Sequence, residues 1–596
     1  MNIIISKANY KSKMVGGDIM SISFEILRDE LIGYGYKFKT PYGERVMTYA
    51  DFTASARGLK FMEEYLADIQ KCYANTHTED DMTGEVMTKI LHKSLDIIKK
   101  HFNAEKNCIV IPSGNGATGA IETFAKIMGI YIPPAAGRRV DSIIGNYFKN
   151  NKGLYDLVNE SEECKKHMPV VFIGPYEHHS NILMWKEGLA ETVEIELDID
   201  GKFDMDDLRR KVSDEKYKGR LKIGSFSAAS NVTGVITPVY DIARIMHENN
   251  GYVCFDYAAC SPYVEINMNK GSDEFLDAIY VAPHKWLGGT GASGLLVLNE
   301  RLYDSSIPPT VSGGGTVSYV SAYAHDYISN PELREMAGTP GILQLFKAAL
   351  AIELKDLTGT EKIEEKEKYY TKKVLDRLKS NPNIEILGPA DENRMPIFSI
   401  KIKHSDKLLH PRFAAKLIND LFGIQMRAGC ACAAPYGHRL MKISEEKSKA
   451  YRQFIKDGVT SIKPGWLRFN IHYVMTEDEV EFILNAVEFA AQYGYLFLNE
   501  YEMDLKTGKW SHTNYKDSYD MVDIFGIKES IKFISKKNKI NSTEIPQLSE
   551  EFGAYLLEAK THADRLSKEP DNFKTLDEGR FYGHGWFYFV NLKDVT

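Results

Sequence analysis

Cysteine is scarce. There are seven in 596 residues, an odd number without the even spacing of a disulfide framework, which favours a reducing, cytosolic setting over secretion. Long apolar runs are also missing: no stretch of about 18 consecutive apolar residues occurs, so no hydrophobic membrane-spanning helix is expected. Met1–Met14 has four apolar residues among its first five and then polar residues, too short for the core of a secretory leader. A dominant charge sign is absent too. The formal net charge of −8 is small for this length, and there is neither the basic block that nucleic acid calls for nor an acidic tail. Neither an internal repeat nor a low-complexity tract is found. What is present, 43% hydrophobic and 26% charged residues, is the composition of a soluble globular protein, and 596 residues exceed what one domain usually holds.

Texture divides the chain into four parts. Residues 1–50 form a mixed N-terminal segment, 51–345 a larger domain, 346–499 a smaller α+β domain and 500–596 a C-terminal extension. In the larger part, Cys108–Pro112, Val170–Gly174, Leu221–Ser227, Tyr252–Asp256, Asp277–Val281 and Ser293–Leu298 read as buried strands between helical patterns. Such alternation predicts an α/β fold with a mostly parallel sheet covered by helices on both faces. Residues 131–168 are polar, contain prolines and show few periodic positions, so they read as an insertion. Further on, the alternating run Phe398–Lys403 predicts a half-buried strand. Thr476 and Glu479 form a capping box ahead of Val480, Ile483, Leu484 and Val487. The extension should form a helix around Glu550–Leu566. Its end, Phe581–Phe589, is too aromatic to stay solvated and must pack on this chain or on a partner.

Residues able to do chemistry collect at the predicted strand ends, where open α/β sheets bind ligands. The glycine-rich stretch Ser113–Gly119 joins a strand to a helix whose Ile121, Phe124, Ala125 and Met128 share one face. The free N–H groups and the dipole of such a helix start suit a phosphate, although an ordinary turn fits as well; neither Walker nor dinucleotide spacing is present. His178 and His179 follow the next strand. An imidazole there could stack on a flat cofactor, and with no third ligand in sight no metal site is expected. Asp256 ends a buried strand, where a carboxylate needs a partner. Lys285 follows His284 and precedes the Gly288–Gly289 turn. An amine for an aldehyde, an anion for a ring nitrogen and donors for a phosphate are what pyridoxal 5'-phosphate (PLP) asks of a protein. Alone, the His–Lys pair fits a surface loop better.

Five motifs in one order, Ser113–Gly119, Glu177–Asn181, Ser230–Gly234, Asp256 and His284–Lys285, resemble those of class-V aminotransferase-like PLP enzymes of fold type I, over roughly residues 47–490. Within that family the chain most resembles the cysteine desulfurase and selenocysteine lyase branch. The resemblance implies that Lys285 forms the Schiff base with PLP and shuttles protons, that Asp256 pairs with the ring nitrogen, and that His178 stacks on the ring and takes part in catalysis. It implies that Asn231 approaches the ring hydroxyl, and that Gly116, Ala117, Thr118 and His284 hold the phosphate, joined by Thr316 of the partner subunit. Arg468 is implied as the clamp on a substrate carboxylate, with Arg427 and Asn181 beside the substrate. Cys432, five residues after Arg427, falls where the family's sulfur-accepting cysteine lies.

The implied protein is a cytoplasmic homodimer that takes sulfur from L-cysteine or a related amino acid, yields alanine, and hands the sulfur to an acceptor protein. Nucleic acid and membrane are not among its expected partners. Two other readings stand beside this one. The same scaffold could run transamination, epimerisation or β-elimination with Cys432 idle, or it could be a silent scaffold or sulfur carrier, against which Lys285, Asp256 and Arg468 together argue. Cys430 and Cys432 also fit as two small buried hydrophobes. The chain departs from the family pattern at Ala259, where glutamine is frequent, and at Ala282, where serine is common. The Cys430-x-Cys432 pair is similar to the Gly-Cys-x-Cys stretch of molybdenum-cofactor sulfurases, whose additional C-terminal domain has no visible counterpart in residues 500–596.

Overall fold

The computed structural model describes residues 14–15, 18–19, 21–76, 78, 80–148, 161–430, 432–516, 526–528, 548–570, 572–576, 581 and 583–592. Seven strands make the large sheet: β1 (Cys108–Pro112), β2 (Val170–Ile173), β3 (Glu191–Glu194), β4 (Lys222–Ser227), β5 (Gly251–Asp256), β6 (Ala278–Val281) and β7 (Leu295–Asn299). Their spatial order is β1-β7-β6-β5-β4-β2-β3, and β7 runs opposite to the other six. The fold is the expected α/β arrangement with a mostly parallel sheet. β3 escaped sequence reading because Glu-Thr-Val-Glu, on the sheet edge, is only half buried and carries no apolar run.

Among the helices flanking this sheet are α1 (Met82–His101), α2 (Gly116–Ile127), α3 (Ser180–Lys186), α4 (Val239–Glu248) and α5 (Ile342–Thr358). Side chains alternate between two cores. Ile109, Ile111, Val171, Ile173, Leu296 and Leu298 meet Ile121, Phe124 and Trp185 on one face. Val110, Val170, Phe172, Val253 and Phe255 meet Leu91, Ile242, Met246 and Leu345 on the other. Cover on both faces is why these strands read as unbroken apolar runs; each such aliphatic side chain contributes roughly 1.5–3 kcal/mol of burial. The change of texture at residue 345 falls inside α5, which packs along α1. Its inner face is Ala348, Ala349 and Ile352, and the Lys- and Glu-rich character belongs to the adjoining helix Thr360–Ser380. Within 131–168, residues Pro134–Phe148 are helical, and 149–160 lie outside the described residues.

The second sheet is antiparallel. β8 (Ile384–Ile386), β9 (Ile397–His404), β10 (Arg427–Gly429) and β11 (Trp466–Asn470) lie in the order β8-β9-β11-β10. Helices α6 (Pro411–Phe422), α7 (Glu477–Tyr493) and α8 (Leu548–Leu566) pack with it. The Thr476–Glu479 capping box opens α7, and Val480, Ile483, Leu484 and Val487 are buried. The expectation that Phe398–Lys403 is half buried holds at its C-terminal half, where half-buried Lys401 and Lys403 alternate with buried Ile400 and Ile402, and is corrected at Ser399, which is buried like its neighbours. β9 is an interior strand, and Ser399 Oγ donates to the Val232 carbonyl at 2.6 Å, so the second face is covered at that end of the strand.

The extension packs on this chain. Phe552 of α8 stacks on Phe482 of α7 with centroids 4.0 Å apart. Trp586 stacks on His410, and Asn591–Leu592 pairs in parallel with Tyr501–Met503. The N-terminal segment joins the same body: Thr48–Tyr49 pairs in parallel with Ile424–Gln425, and Arg45 Nε donates to the Leu421 carbonyl at 2.6 Å. Among the described residues no helix is long and apolar enough to cross a membrane.

Candidate active site

The carboxyl ends of the parallel strands open into a cavity of about 210 Å3. Strand register explains what meets there. Asp256, last in β5, pairs across to Ser227 on one side and Tyr280 on the other, and β6 then runs into the single turn Pro283–Lys285. The cavity is lined by Gly116, Ala117 and Thr118 from the start of α2, by His178, Asn231, Asp256, His284 and Lys285, and from the smaller domain by Arg427, Cys432 and Arg468. Ala259 and Ala282 also line it, so the two departures from the family pattern face the site as bare methyl groups.

Burial tunes the charges. Desolvation pulls the Lys285 amine down to about 8, partly opposed by Asp256. The same desolvation raises the Asp256 carboxyl, with an N–H bond from Ala258 (2.9 Å) and Lys285 acting against it. A buried carboxylate of this kind is satisfied by a cation held at the strand tip. Desolvation first and Lys285 second bring His178 down to about 4. Its Nδ1 accepts from the Ser180 N–H at 3.2 Å, which leaves the ring proton on Nε2.

At the other end, Gly116 takes φ +60° to turn the chain into α2, and the N–H groups of Ala117 and Thr118 have no partner within the helix by the geometry of any helix start. The loop is lashed to the start of β7: Ser113 N–H donates to the Gly294 carbonyl (2.8 Å) and Gly294 N–H to the Gly114 carbonyl (3.0 Å). A Cβ at Gly294 would sit 2.2 Å from the Gly116 oxygen, so only glycine permits this approach.

Arg427 and Arg468 are directly opposed across β10 and β11, normally an unfavourable like-charge pair. Asp51 resolves it. Its Oδ1 accepts from Arg468 at 2.8 Å and its Oδ2 from Arg427 Nε at 3.0 Å. Arg468 is buried and also donates to the Asn231 carbonyl at 3.1 Å, whereas the Arg427 side chain is 49% exposed. Sequence reasoning did not single out Asp51, although an acid ending the Met47–Asp51 run before small residues was a usable signal. It also missed the anchoring role of Glu177. That buried carboxyl, raised to about 7 by burial, accepts from Ser227 N–H (2.8 Å) and Ser227 Oγ (2.6 Å) at the end of β4.

One expected site residue is corrected. Asn181 is fully buried: its Nδ2 donates to Glu177 (2.6 Å) and the Ser225 carbonyl (3.0 Å), and its Oδ1 accepts from Trp185 Nε1 (3.0 Å) and Ser225 Oγ (2.6 Å). One helical step past Ser180, about 100° around α3, it faces the sheet and does not line the cavity. Thr316, expected to act from the partner subunit, lies away from this chain's own cavity; its Oγ1 donates to the Gly313 carbonyl at 2.8 Å and closes its own loop. Cys432 does line the cavity, is exposed, and sits at φ +56°. Cys430, two residues earlier, lines a different, apolar cavity beside Trp466 and Tyr451.

A family model described as aminotransferase class-V matches residues 158–483. The chain belongs to the class-V aminotransferase family. This family depends on PLP, so the chain is a PLP-dependent enzyme. The class-V chain is 27% identical over 398 residues to a probable cysteine desulfurase of Streptomyces coelicolor, a match spanning 65% of this chain and 84% of that one. A probable cysteine desulfurase of Pyrococcus abyssi is 29% identical over 320 residues, spanning 53% of this chain and 70% of that one. Among solved structures, an apo cysteine desulfurase from Thermococcus onnurineus NA1 matches with a TM-score of 0.58 at 22% identity, covering 75% of this chain and 95% of that one. A cysteine desulfurase of Escherichia coli matches at 0.54 and 18%, covering 74% and 94%. At these identities the structures establish the shared fold. The cavity of this class-V enzyme fits its cofactor: an amine near 8, a buried acid for a ring nitrogen and a glycine-turned helix start for a phosphate lie around one space.

Proposed function

We propose that this enzyme removes sulfur from L-cysteine, leaving alanine and a persulfide on Cys432. The observation that carries the reading is that Cys432, Arg468 and Lys285 line one cavity, although Lys285 and Cys432 are 147 positions apart in sequence. PLP, when bound at Lys285, supplies the electron sink. Asp256 would hold the ring nitrogen, Gly116, Ala117, Thr118 and His284 the phosphate, and His178 one face of the ring. Arg468, fixed by Asp51, presents a planar fork to the substrate carboxylate. The Lys285 amine, near 8, is close enough to neutral pH to take the Cα proton at Nζ and return it. The Cys432 thiolate attacks the substrate sulfur. The C–S bond breaks, its electron pair stays with the substrate carbon, and a proton completes the alanine methyl. Cysteine plus the Cys432 thiol thereby give alanine plus the Cys432 persulfide, with no external redox partner.

The exposure of Cys432 fits delivery of that sulfur to an acceptor protein. The seven free cysteines fit a cytoplasmic, reducing compartment. The exposed hairpin bearing Tyr319, Val320 and Tyr323 next to Thr316 fits a homodimer in which a second copy covers it. The test is to give L-cysteine to holoenzyme and to a Cys432→Ala variant and to quantify alanine and sulfide together. Equal yields of both, falling at least 100-fold in the variant, support the proposal. PLP-loaded protein that forms no alanine sinks it and turns attention to transamination, epimerisation or β-elimination.

A further inference from the structure

His178 and His179 are neighbours with opposite duties. His178 lines the cavity, whereas His179 contacts the loop that carries Cys432. The His179 backbone N–H donates to the Cys432 carbonyl at 2.8 Å, and its Nε2 accepts from the Ala434 N–H at 3.0 Å. One residue at the start of α3 thus grips the backbone on both sides of Ala433. The loop needs such a grip. Cys432 stands at φ +56°, a left-handed conformation that a non-glycine residue adopts only when its surroundings impose it. Within the loop itself the Ala433 N–H donates to the Cys430 carbonyl at 3.0 Å, a tight turn that does not reach the larger domain. Accepting at Nε2 requires a neutral ring with its proton on Nδ1, the opposite tautomer to that of His178. Desolvation, helped by Lys463, favours that neutral form.

We propose that His179 is a positioning residue, a two-point latch that holds Cys432 in its strained conformation over the cavity and joins the sulfur-accepting loop to the same turn that presents His178 to the ring. The proposal rests on the desulfurase reading for its effect on rate, but not for its effect on the loop. The side-chain half of the latch can be removed by substitution and the backbone half cannot, so losing the Nε2 acceptor should loosen the loop without unfolding it.

The test uses full-length holoenzyme carrying His179→Phe, which keeps a ring but no acceptor, and His179→Gln, whose Oε1 reaches about as far as Nε2. Three quantities are read: the change in cofactor absorbance on adding L-cysteine, alanine formed in the first turnover, and the rate of Cys432 alkylation by iodoacetamide, located by mass spectrometry. In His179→Phe the absorbance change should stay within twofold of wild type, first-turnover alanine should slow about tenfold, the worth of one buried hydrogen bond, and alkylation should change at least threefold. His179→Gln should restore both to within twofold. Should His179→Phe not fold, His179→Asn, too short to reach Ala434, replaces it. Unchanged alkylation in the acceptor-less variant overturns the latch, as does equal impairment in the glutamine variant. Wild-type protein that makes no alanine overturns the desulfurase reading instead, while the alkylation comparison still decides the latch.

Discussion

Asp51 supports the substrate end of the site, and removing it is a sharp test of that geometry. In Asp51→Ala the Arg468 guanidinium, only 4% exposed, keeps a single acceptor, the Asn231 carbonyl, and faces Arg427 across the strand pair. Breaking a buried ion pair from one side costs roughly 3–5 kcal/mol, because the remaining charge stays desolvated. The Arg427 contact adds at most about 1 kcal/mol, since a half-exposed pair is screened by water. The expected loss is therefore about 3–5 kcal/mol, carried by Arg468. Replacing both partners by apolar groups is close to neutral, so Asp51→Ala with Arg468→Met should recover most of the loss. The assay is a double-mutant cycle on urea unfolding, all proteins in the same cofactor state. A coupling of at least about 2 kcal/mol is expected. Additive effects, or a cost below about 1 kcal/mol for Asp51→Ala, would show that Asp51 does not hold Arg468.

Three more outcomes are expected from the packing. His410 is buried with its pKa brought from 6.5 to about 4, so the unfolded chain binds the extra proton between those values. Stability then rises with pH across that window and is lost as pH falls, by up to about 1.4 kcal/mol per unit for this group; denaturation measured against pH should show a shallower acid limb in His410→Gln. Phe552→Ala removes a ring stacked 4.0 Å from Phe482 and should cost about 3–4 kcal/mol, lowering the melting temperature while leaving cofactor content unchanged; an effect under about 1 kcal/mol would mean the extension is not part of this core. Gly294→Ala places a Cβ 2.2 Å from the Gly116 oxygen, so the phosphate loop must shift. Titration with PLP, read by absorbance, should show binding weakened at least tenfold.

The strands that were legible along the chain are those covered on both faces. Val170–Ile173 and Leu295–Asn299 announce themselves because every side chain in them is buried. Glu191–Glu194, on the sheet edge, leaves no apolar record, and the alternation of Phe398–Lys403 suggested a wet face that is found at Lys401 and Lys403 but not at Ser399. Local patterns report on the strand itself, and what another domain later covers is not written in them. The helix start at Gly116, the strand-end Asp256 and Lys285 were likewise readable, since each depends on a strand, a turn and a charge within a few residues.

The mostly parallel α/β sheet, the capping box of α7 and the PLP-type order of motifs were thus already written in the amino-acid sequence. How those motifs meet was settled by packing across the chain. It turned Asn181 away from the cavity into four hydrogen bonds under the sheet, because one helical step separates it from Ser180. It recruited Asp51 to hold two arginines that are 376 and 417 residues away along the chain. It also set the His179 side chain against a loop 255 residues downstream. The physical reason is the same in each case. Secondary structure is set by neighbours along the chain, whereas the placement of a charge or an acceptor depends on which distant groups burial leaves in need of a partner.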